Sequence, residues 1–341
     1  MDLLSEDGIM NFECVGFSEI DDKAVRTYKS IFNPSSDELE MGDIVKFTSD
    51  KNRMESLPQF DFLTGGFPCQ TFSMMGKKKG FEEDRGQMFF RIVDILAAKH
   101  PQYVLLENVK NLKTHDSGRT YSRIEQELKD LGYSVCTNVF NTSDFHLPQT
   151  RSRVLIFATL NDISIQQRKA FTPEKVRAFF DEHYRETGVL IYDNVLDLLE
   201  ENVPEKYYLS ERIKPTILAD GSANFKSKSE INKLIARPLT ATMHKMHRAC
   251  QDNYYSKEFI DSHGKVNYGA SMDKDELSKQ AIRRITPEEA FMLQGFPAEF
   301  ALKARRNGVA DGALYKQAGN AVSVNTIYAV LYFLIQNGLI K

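Results

Sequence analysis

A cysteine stands directly after a predicted strand and a tight turn, in the stretch DFLTGGFPCQTFS from Asp61 to Ser73. In an open α/β sheet, chemistry takes place outside the carboxyl ends of the strands, so Cys69 is a candidate nucleophile. The alternative for an isolated cysteine is a buried side chain that packs as a small hydrophobe. Pro68, which restricts the approach, and Gly65 and Gly66, which allow close backbone contact, favour the catalytic interpretation.

The composition is that of an ordinary globular protein. The 341 residues are 42% hydrophobic and 27% charged with a net charge of −3, and this length predicts two domains. No apolar run reaches the length of a membrane span and no signal-peptide core is present, so we expect a soluble intracellular protein. The four cysteines form no C-x-x-C pair, which argues against a disulfide scaffold or structural zinc, and we predict no metal site.

Apolar strands alternate with amphipathic helices up to about residue 160, which predicts an α/β fold with a largely parallel sheet. Met1–Gly8 is predicted to be the end of a helix that its glycine closes. The predicted strands are Phe12–Phe17, Phe60–Thr64, Tyr103–Leu106, Tyr133–Phe140 and Val154–Ala158, and the predicted helices are Asp22–Ile31, Gly86–Lys99 and Arg119–Leu131.

The pattern changes after about residue 160, and residues 205–270 have little clean periodicity. Residues 223–248 contain six lysines and arginines and one glutamate, which form either a solvated basic face or a surface that contacts phosphates. A helix is predicted to begin after Thr286, with Pro287 at its first position and acids in its first turn. A last apolar helix follows Val322 and stops at Gly338.

Six short motifs in order resemble those of the cytosine-C5 DNA methyltransferases, over nearly the whole chain. Phe67-Pro68-Cys69-Gln70 resembles the nucleophile motif, Glu107-Asn108-Val109 the Glu-Asn-Val motif, and Gln149-x-Arg151-x-Arg153 the Gln-x-Arg-x-Arg motif. The others are Asp84-Arg85-Gly86, the stretch from Arg284 to Pro297, and Gly319-Asn320-Ala321-Val322. Each tripeptide alone is weak evidence, but six in order around one variable region are very specific.

The resemblance implies a Rossmann-like domain that uses S-adenosyl-L-methionine, a smaller target-recognition domain, and double-stranded DNA in the cleft between them. We predict the first domain at residues 1–160 plus 315–341 and the second at 161–314, with a variable core at about 205–280. The implied enzyme is a monomeric, site-specific DNA (cytosine-5-)-methyltransferase of a prokaryotic or phage restriction-modification system, cytoplasmic, with a cognate endonuclease that need not form a stable complex.

The chemistry of cytosine explains the implied catalytic residues. C5 is a poor nucleophile until a thiolate adds to C6, and the resemblance gives this role to Cys69. Glu107 would share a proton with N3, which requires that burial raise its pKa. Arg153 would stabilise charge at O2, and Arg151 would serve as a positioning residue or a phosphate contact.

The target base must be flipped out of the duplex before this chemistry can occur. The loop from Thr71 to Gln87, with its glycines and lysines, is predicted to close over the flipped base; the alternative is a solvated loop. Residues expected to contact DNA are Gln70, Ser73, Lys77, Lys78, Lys79, Arg85, Gln149, Arg237, Thr240 and Thr242, with Thr240 as the anchor of the variable region.

Acidic residues follow two early strands, and an acid at such a position commonly binds ribose hydroxyls. By resemblance, Glu19 binds the ribose of S-adenosyl-L-methionine, Asp43 its adenine amino group, and Asn320 its methionine end. The full predicted cofactor set is Glu19, Ile20, Asp43, Ile44, Gly66, Pro68, Asn320 and Ala321.

One motif of the family has no counterpart in this sequence. The family opens with a strand and a Phe-x-Gly-x-Gly loop that lets backbone N–H groups approach the cofactor, whereas this sequence begins at Met1-Asp2-Leu3-Leu4. We therefore expect a start on an internal methionine, with roughly twenty residues and a central strand missing. Two alternatives stay open: an RNA cytosine-C5 methyltransferase and an inactive DNA-binding homologue.

Overall fold

A computed structural model describes residues 2–5, 8–68, 88–221, 227–267 and 273–341, with the segments before residue 10 described by their backbone alone. Seven residues predicted to act in catalysis or DNA binding lie outside these ranges: Cys69, Gln70, Ser73, Lys77, Lys78, Lys79 and Arg85.

The predicted alternation of strands and helices is confirmed in the first half of the chain. The strands are β1 (Asp2–Ser5), β2 (Gly8–Asn11), β3 (Gly16–Phe17), β4 (Leu39–Glu40), β5 (Phe62–Gly66), β6 (Tyr103–Val109), β7 (Ser134–Asn141), β8 (Ser152–Thr159), β9 (Tyr254–Ser256) and β10 (Ile282–Arg284). The helices are α1 (Asp22–Phe32), α2 (Ile44–Ser49), α3 (Lys51–Ser56), α4 (Met88–Lys99), α5 (Arg119–Asp130), α6 (Ile165–Ala170), α7 (Pro173–His183), α8 (Lys214–Leu218), α9 (Lys257–Asp261), α10 (Lys274–Ser278), α11 (Pro287–Met292), α12 (Ala298–Arg306), α13 (Asp311–Asn320) and α14 (Val324–Gln336). Short 3₁₀ helices lie between them, among them Glu205–Tyr207 and Met243–Lys245.

The main sheet has the strand order β5-β6-β8-β7. β5 and β6 are parallel, but β8 is antiparallel to both of its neighbours, so the prediction of a largely parallel sheet was wrong for this strand. The reason is the length of the connection. Residues 142–151 join β7 to β8, and a parallel crossover needs a dozen or more residues, usually with a helix.

The sheet is buried on both faces, because alternate residues of each strand enter different cores. In β8, Leu155 and Phe157 pack with α7 and α14, while Val154 and Ile156 pack with α4 and α5. This explains the continuous apolar runs YVLL in β6 and VLIFA in β8.

The N-terminal prediction was wrong. β1 and β2 form an antiparallel hairpin where the end of a helix was expected, and regular strand structure within the predicted Phe12–Phe17 strand is limited to β3. Met10 and Phe12 pack against the core around α14, so tertiary packing overrides local helix propensity here. β3 pairs in parallel with β4 as a sheet separate from β5-β6-β8-β7 in the described ranges.

The helix pair Asp311–Gln336 is long and apolar enough by composition to cross a membrane, but 72% of its apolar window is buried inside the protein. α14 begins at Ser323, whose hydroxyl caps the backbone N–H of Thr326. The chain after α14 turns at Gly338, where φ is +64°. The buried side chains of α14 belong to the core beneath the sheet.

Residues of the predicted target-recognition region form other cores. One includes Val195, Tyr255 and Phe291 and extends to Tyr315 and Ala318 of α13. Val176 and Phe180 of α7 instead pack in the same core as α14. The predicted domain boundaries stay a prediction, and this packing favours a first domain that extends beyond residue 160.

A fully buried ion pair sets the start of α11. Thr286 and Glu289 form a capping box, as the predicted N-cap requires. Glu289 also accepts two hydrogen bonds from Arg283, at 2.7 and 2.8 Å, and both side chains are 0% exposed. Its Oε1 accepts a further bond from the backbone N–H of Glu200, so one carboxylate joins β10, α11 and a distant loop.

Glu289→Ala should lower the free energy of unfolding by roughly 3–5 kcal/mol, because it leaves the Arg283 guanidinium buried without its partner. Glu299→Ala is the matched control, since its pair with Arg306 is solvent-exposed and should contribute about 0–1 kcal/mol. Urea denaturation measures both. Equal losses for the two variants would contradict the structural role of the buried pair.

Candidate active site

Glu107 and Arg153 meet at the carboxyl end of β6. Because β8 is antiparallel to β6, Val109 pairs with Arg153 and Glu107 pairs with Leu155. The Arg153 Nε lies 2.7 Å from Oε1 of Glu107, and the side chains are only 21% and 18% exposed. The predicted partners of the nucleophile are therefore side by side.

Burial determines the protonation of this pair. It raises the pKa of the Glu107 carboxyl, and the attraction of Arg153 and Arg151 offsets this only in part. This confirms the expected direction. Burial also lowers the pKa of the Arg153 guanidinium, although Glu107 opposes that change. A carboxyl with a raised pKa can donate a proton at a higher pH than an ordinary glutamate.

Asn108 connects this pair to the turn that precedes the cysteine. Its side-chain amide donates to the carbonyl oxygen of Phe67 at 2.7 Å, and its Oδ1 accepts from the backbone N–H of Val109 at 2.8 Å. The side chain is 3% exposed. We had assigned no role to Asn108 from the sequence, although its place in the Glu-Asn-Val motif was the available signal.

Gly66, the last residue of β5, lies beside Glu107. The two residues pair across the sheet, and a Cβ on Gly66 would lie 3.4 Å from Oε2 of Glu107. This distance is an ordinary van der Waals contact, so Gly66 lies directly beside the carboxyl group.

Arg151 is a positioning residue in this structure. Its guanidinium donates to the carbonyl oxygens of Leu239, Gly319 and Ala321 at 2.9, 3.0 and 2.8 Å, and the residue is 2% exposed. Burial, followed by repulsion from Arg153, lowers its pKa to about 9. A buried guanidinium with three carbonyl partners does not fit the phosphate contact that we had considered.

Gln149 is buried rather than available to DNA, which corrects its predicted role. It is 0% exposed, and its amide nitrogen donates to the carbonyl oxygen of Leu293 at 2.9 Å. Its Oε1 accepts from the backbone N–H of Leu239 at 3.0 Å. The side chain therefore joins two segments that lie far away in the sequence.

The residues of the variable region that are predicted to contact DNA differ in their solvent exposure. The Arg237 side chain is 15% exposed and is held by Glu230, 3.6 Å from its carboxylate and 3.1 Å from its carbonyl oxygen. Thr240 is half-buried and Thr242 is exposed. The threonines therefore remain candidates for DNA contact. The Arg237 guanidinium would first have to break its contacts with Glu230.

The backbone at Thr240 packs directly on Gly319. A Cβ on Gly319 would lie 2.3 Å from both the carbonyl carbon and oxygen of Thr240, and 2.4 Å from the nitrogen of Ala241. Only glycine permits this approach of α13 to the variable region.

The predicted cofactor residues on the early strands lie at neighbouring strand ends. Oε1 of Glu19 accepts from the backbone N–H groups of Ile20 and Asp21, each at 2.8 Å. Asp43 caps α2 by accepting from Val45 at 2.9 Å. The Ser18 hydroxyl donates to the carbonyl oxygen of Gly42 at 2.7 Å and so connects the two strand ends.

The other predicted cofactor residues lie at the end of β5, the start of α2 and the end of α13. Gly66, Pro68 and Asn320 are exposed, and Ala321 and Ile44 are half-buried. Lys316 of α13 forms an ion pair with Asp21 at 2.6 Å, which places this helix beside the loop of Glu19. Ile20, which stands between Glu19 and Asp21 in the sequence, is 74% exposed, and this is unusual for a large apolar side chain.

The fold is that of a Rossmann-like methyltransferase, and the comparisons with known proteins agree. A methyltransferase from Entamoeba histolytica, EhMeth, superposes with a TM-score of 0.67 at 17% identity, covering 95% of this chain and 90% of that one. The family model for C-5 cytosine-specific DNA methylase matches residues 4–336. The chain therefore belongs to the C-5 cytosine-specific DNA methylases.

Two curated relatives are similar over most of the chain. The Type II methyltransferase M1.ScrFI of Lactococcus lactis subsp. cremoris is 37% identical, over 92% of this chain and 69% of that protein. The Type II methyltransferase M.DsaV of Dactylococcopsis salina is 34% identical, over 93% of this chain and 78% of that protein.

Gly319→Ala should destabilise the contact between α13 and the variable region, because backbone atoms occupy the space that a Cβ needs. We expect a loss of about 1–3 kcal/mol in the free energy of unfolding. Gly312→Ala in the same helix is the control, since its Cβ would have its nearest neighbour at 4.0 Å, and we expect it to be neutral or stabilising by about 0.5–1 kcal/mol. Identical urea midpoints for the two variants would contradict this account.

The raised pKa of Glu107 predicts a pH-dependent contribution to stability. A carboxyl with a higher pKa in the folded state contributes stability that is fully present below the unfolded pKa and is lost as pH rises through the folded pKa. Arg153 lowers the pKa of Glu107. The Arg153→Gln variant should therefore have a still higher Glu107 pKa, and its loss of folding stability should extend to higher pH. Carbon-13 NMR of the Glu107 carboxyl measures the change, and a lower pKa in the variant is the contrary result.

Proposed function

We propose that this chain transfers a methyl group from S-adenosyl-L-methionine to C5 of a flipped cytosine in double-stranded DNA. The observation that carries the proposal is the half-buried ion pair of Glu107 and Arg153 at the carboxyl end of β6. Asn108 holds the carbonyl of Phe67, two residues before Cys69, so this pair is connected to the turn that leads to the proposed nucleophile.

The first step is addition of the Cys69 thiolate to C6, as the sequence motif implies. A bond forms between Sγ and C6, and the electron pair of the C5–C6 double bond moves toward C5, N3 and O2. After C5 has received the methyl group, a water molecule accepts the C5 proton. The C5–H electron pair re-forms the C5–C6 double bond as the Sγ–C6 bond breaks, and the thiolate is released.

Glu107 and Arg153 stabilise the charge that addition creates. A protonated Glu107 donates to N3, and its raised pKa supports this role. Arg153 orients the acid through the 2.7 Å ion pair and presents positive charge near O2. Arg151, through its three carbonyl partners, positions the start of β8.

The residues present fit S-adenosyl-L-methionine, which when bound supplies an electrophilic methyl group. Glu19 uses Oε1 for its own backbone, which leaves Oε2 for ribose hydroxyls. The exposed Ile20 offers an apolar surface for the adenine ring. Asp43 would bind the adenine amino group, and Asn320 the methionine end.

DNA would bind where the variable region meets α13. There Thr240 and Thr242 would contact DNA, and the lysine-rich loop, which lies outside the described residues, would supply further contacts. The name "Type II methyltransferase" of the relatives supports a role in a restriction-modification system. Within it we propose a cytoplasmic, monomeric enzyme of a prokaryote or phage, with no stable complex with a cognate endonuclease.

A methyl-transfer assay tests the function. Labelled S-adenosyl-L-methionine is incubated with mixed-sequence duplex DNA or with RNA, and we expect label in DNA that Cys69→Ser abolishes. Glu107→Gln should slow the single-turnover rate by about 10²–10⁴-fold without weakening cofactor binding. Glu127→Gln is the matched control, because that glutamate is as little exposed as Glu107, at 19%, but pairs with Arg123 within α5.

Other outcomes would assign another function. Label in RNA alone would mean an RNA methyltransferase, and DNA retardation without label transfer would mean a DNA-binding homologue. Bisulfite sequencing of labelled DNA would then identify the target site.

A further inference from the structure

Arg284, at the end of β10, lies between two tyrosine rings. Its guanidinium carbon is 5.0 Å from the ring centre of Tyr315 and 5.8 Å from that of Tyr207. Both tyrosines are buried, with 1% and 3% of their surfaces exposed. Aromatic rings at this distance attract a cation and restrict the orientation of its plane.

The nearby carboxylate is already neutralised by other cations. Asp311 accepts from Lys206 at 2.7 Å, from Arg305 at 3.0 Å and from the Tyr207 hydroxyl at 2.9 Å. Arg305 also pairs with Glu288. Asp311 and Glu288 therefore pair with Lys206 and Arg305, and neither acid forms an ion pair with Arg284.

The Arg284 guanidinium has no acidic partner in the ranges that the structure describes. Its Nε is buried and has no hydrogen-bond partner, and the residue as a whole is half-buried. An arginine has five N–H donors in a planar fork. Such a fork, held by aromatic rings and not occupied by a carboxylate, is suited to an anion with several oxygens.

The position of Arg284 near the segment proposed to contact DNA indicates which anion it would bind. Tyr315 belongs to α13, and one turn earlier a Cβ on Gly312 would lie 4.0 Å from Cδ2 of His244. His244 belongs to the short helix Met243–Lys245, which directly follows Thr242. Arg284 thus packs on Tyr315, one turn along α13 from the residue next to the segment proposed to contact DNA.

We propose that Arg284 binds a phosphate group of the DNA backbone. The inference rests on the proposed function, and it adds a contact that no sequence motif assigned. The competing role is purely structural: the stacked guanidinium would then only hold β10 against α13.

The salt dependence of DNA binding separates the two roles. Each neutralised phosphate contributes a slope of about 0.9 to the fall of log Kobs with log salt. Arg284→Gln should reduce the slope by about 0.9, so that raising salt from about 50 to about 200 mM weakens the variant about 3.5-fold less than the wild type. Arg284→Lys should retain the slope, because it retains the charge.

The measurement uses fluorescence anisotropy of the full chain with a mixed-sequence DNA duplex, in parallel with the urea midpoint of each variant. Arg306→Gln is the control for a general loss of charge, because Arg306 already pairs with Glu299 on the surface, and its slope should equal the wild-type slope.

An unchanged slope in Arg284→Gln, or an equal reduction in Arg306→Gln, overturns the phosphate contact. A lower urea midpoint with a wild-type slope identifies the structural role instead. These results leave the proposed function intact if the wild type still methylates DNA, whereas a wild type that neither binds nor methylates DNA refutes the proposed function itself.

Discussion

The antiparallel direction of β8 is the constraint on which the site depends. Because β8 runs opposite to β6, its first residues lie at the carboxyl end of β6, where chemistry occurs in open α/β sheets. This places Arg153 beside Glu107, 2.7 Å away. A parallel β8 would carry Arg153 to the other end of the sheet, and the buried carboxyl would have no cation.

The residues just before β8 join the sheet to the rest of the molecule. Gln149 bonds to Leu239 and Leu293, and Arg151 bonds to Leu239, Gly319 and Ala321. Polar groups buried in this way are costly unless they are satisfied, so these bonds restrict how the variable region and α13 can be arranged. The short segment before Arg153, the proposed catalytic arginine, thus also joins the sheet to the variable region and α13.

The sequence predicted what depends on local pattern. The strand ends at Gly66 and Glu107, the cap at Thr286 and the apolar last helix all have local signals. The direction of β8 had one signal, the short connection after β7, which the prediction of a parallel sheet did not use. The N-terminal hairpin had none, because it depends on packing against α14. The burial of Gln149 and Arg151 could not be predicted from the sequence either, because their partners include Leu293 and Gly319, more than a hundred residues away in the chain.

Trapping with a fluorinated substrate tests most directly that Cys69, Glu107 and Arg153 act on one cytosine. In duplex DNA carrying 5-fluorocytosine, C5 holds fluorine in place of the proton that must leave, so the enzyme should stay bonded to C6 after methyl transfer. We predict a denaturation-resistant protein–DNA complex, formed only with S-adenosyl-L-methionine, in which peptide mass spectrometry finds the nucleotide on Cys69. Attachment to Cys14, Cys136 or Cys250, or no complex with DNA that the protein methylates when unfluorinated, would contradict the account.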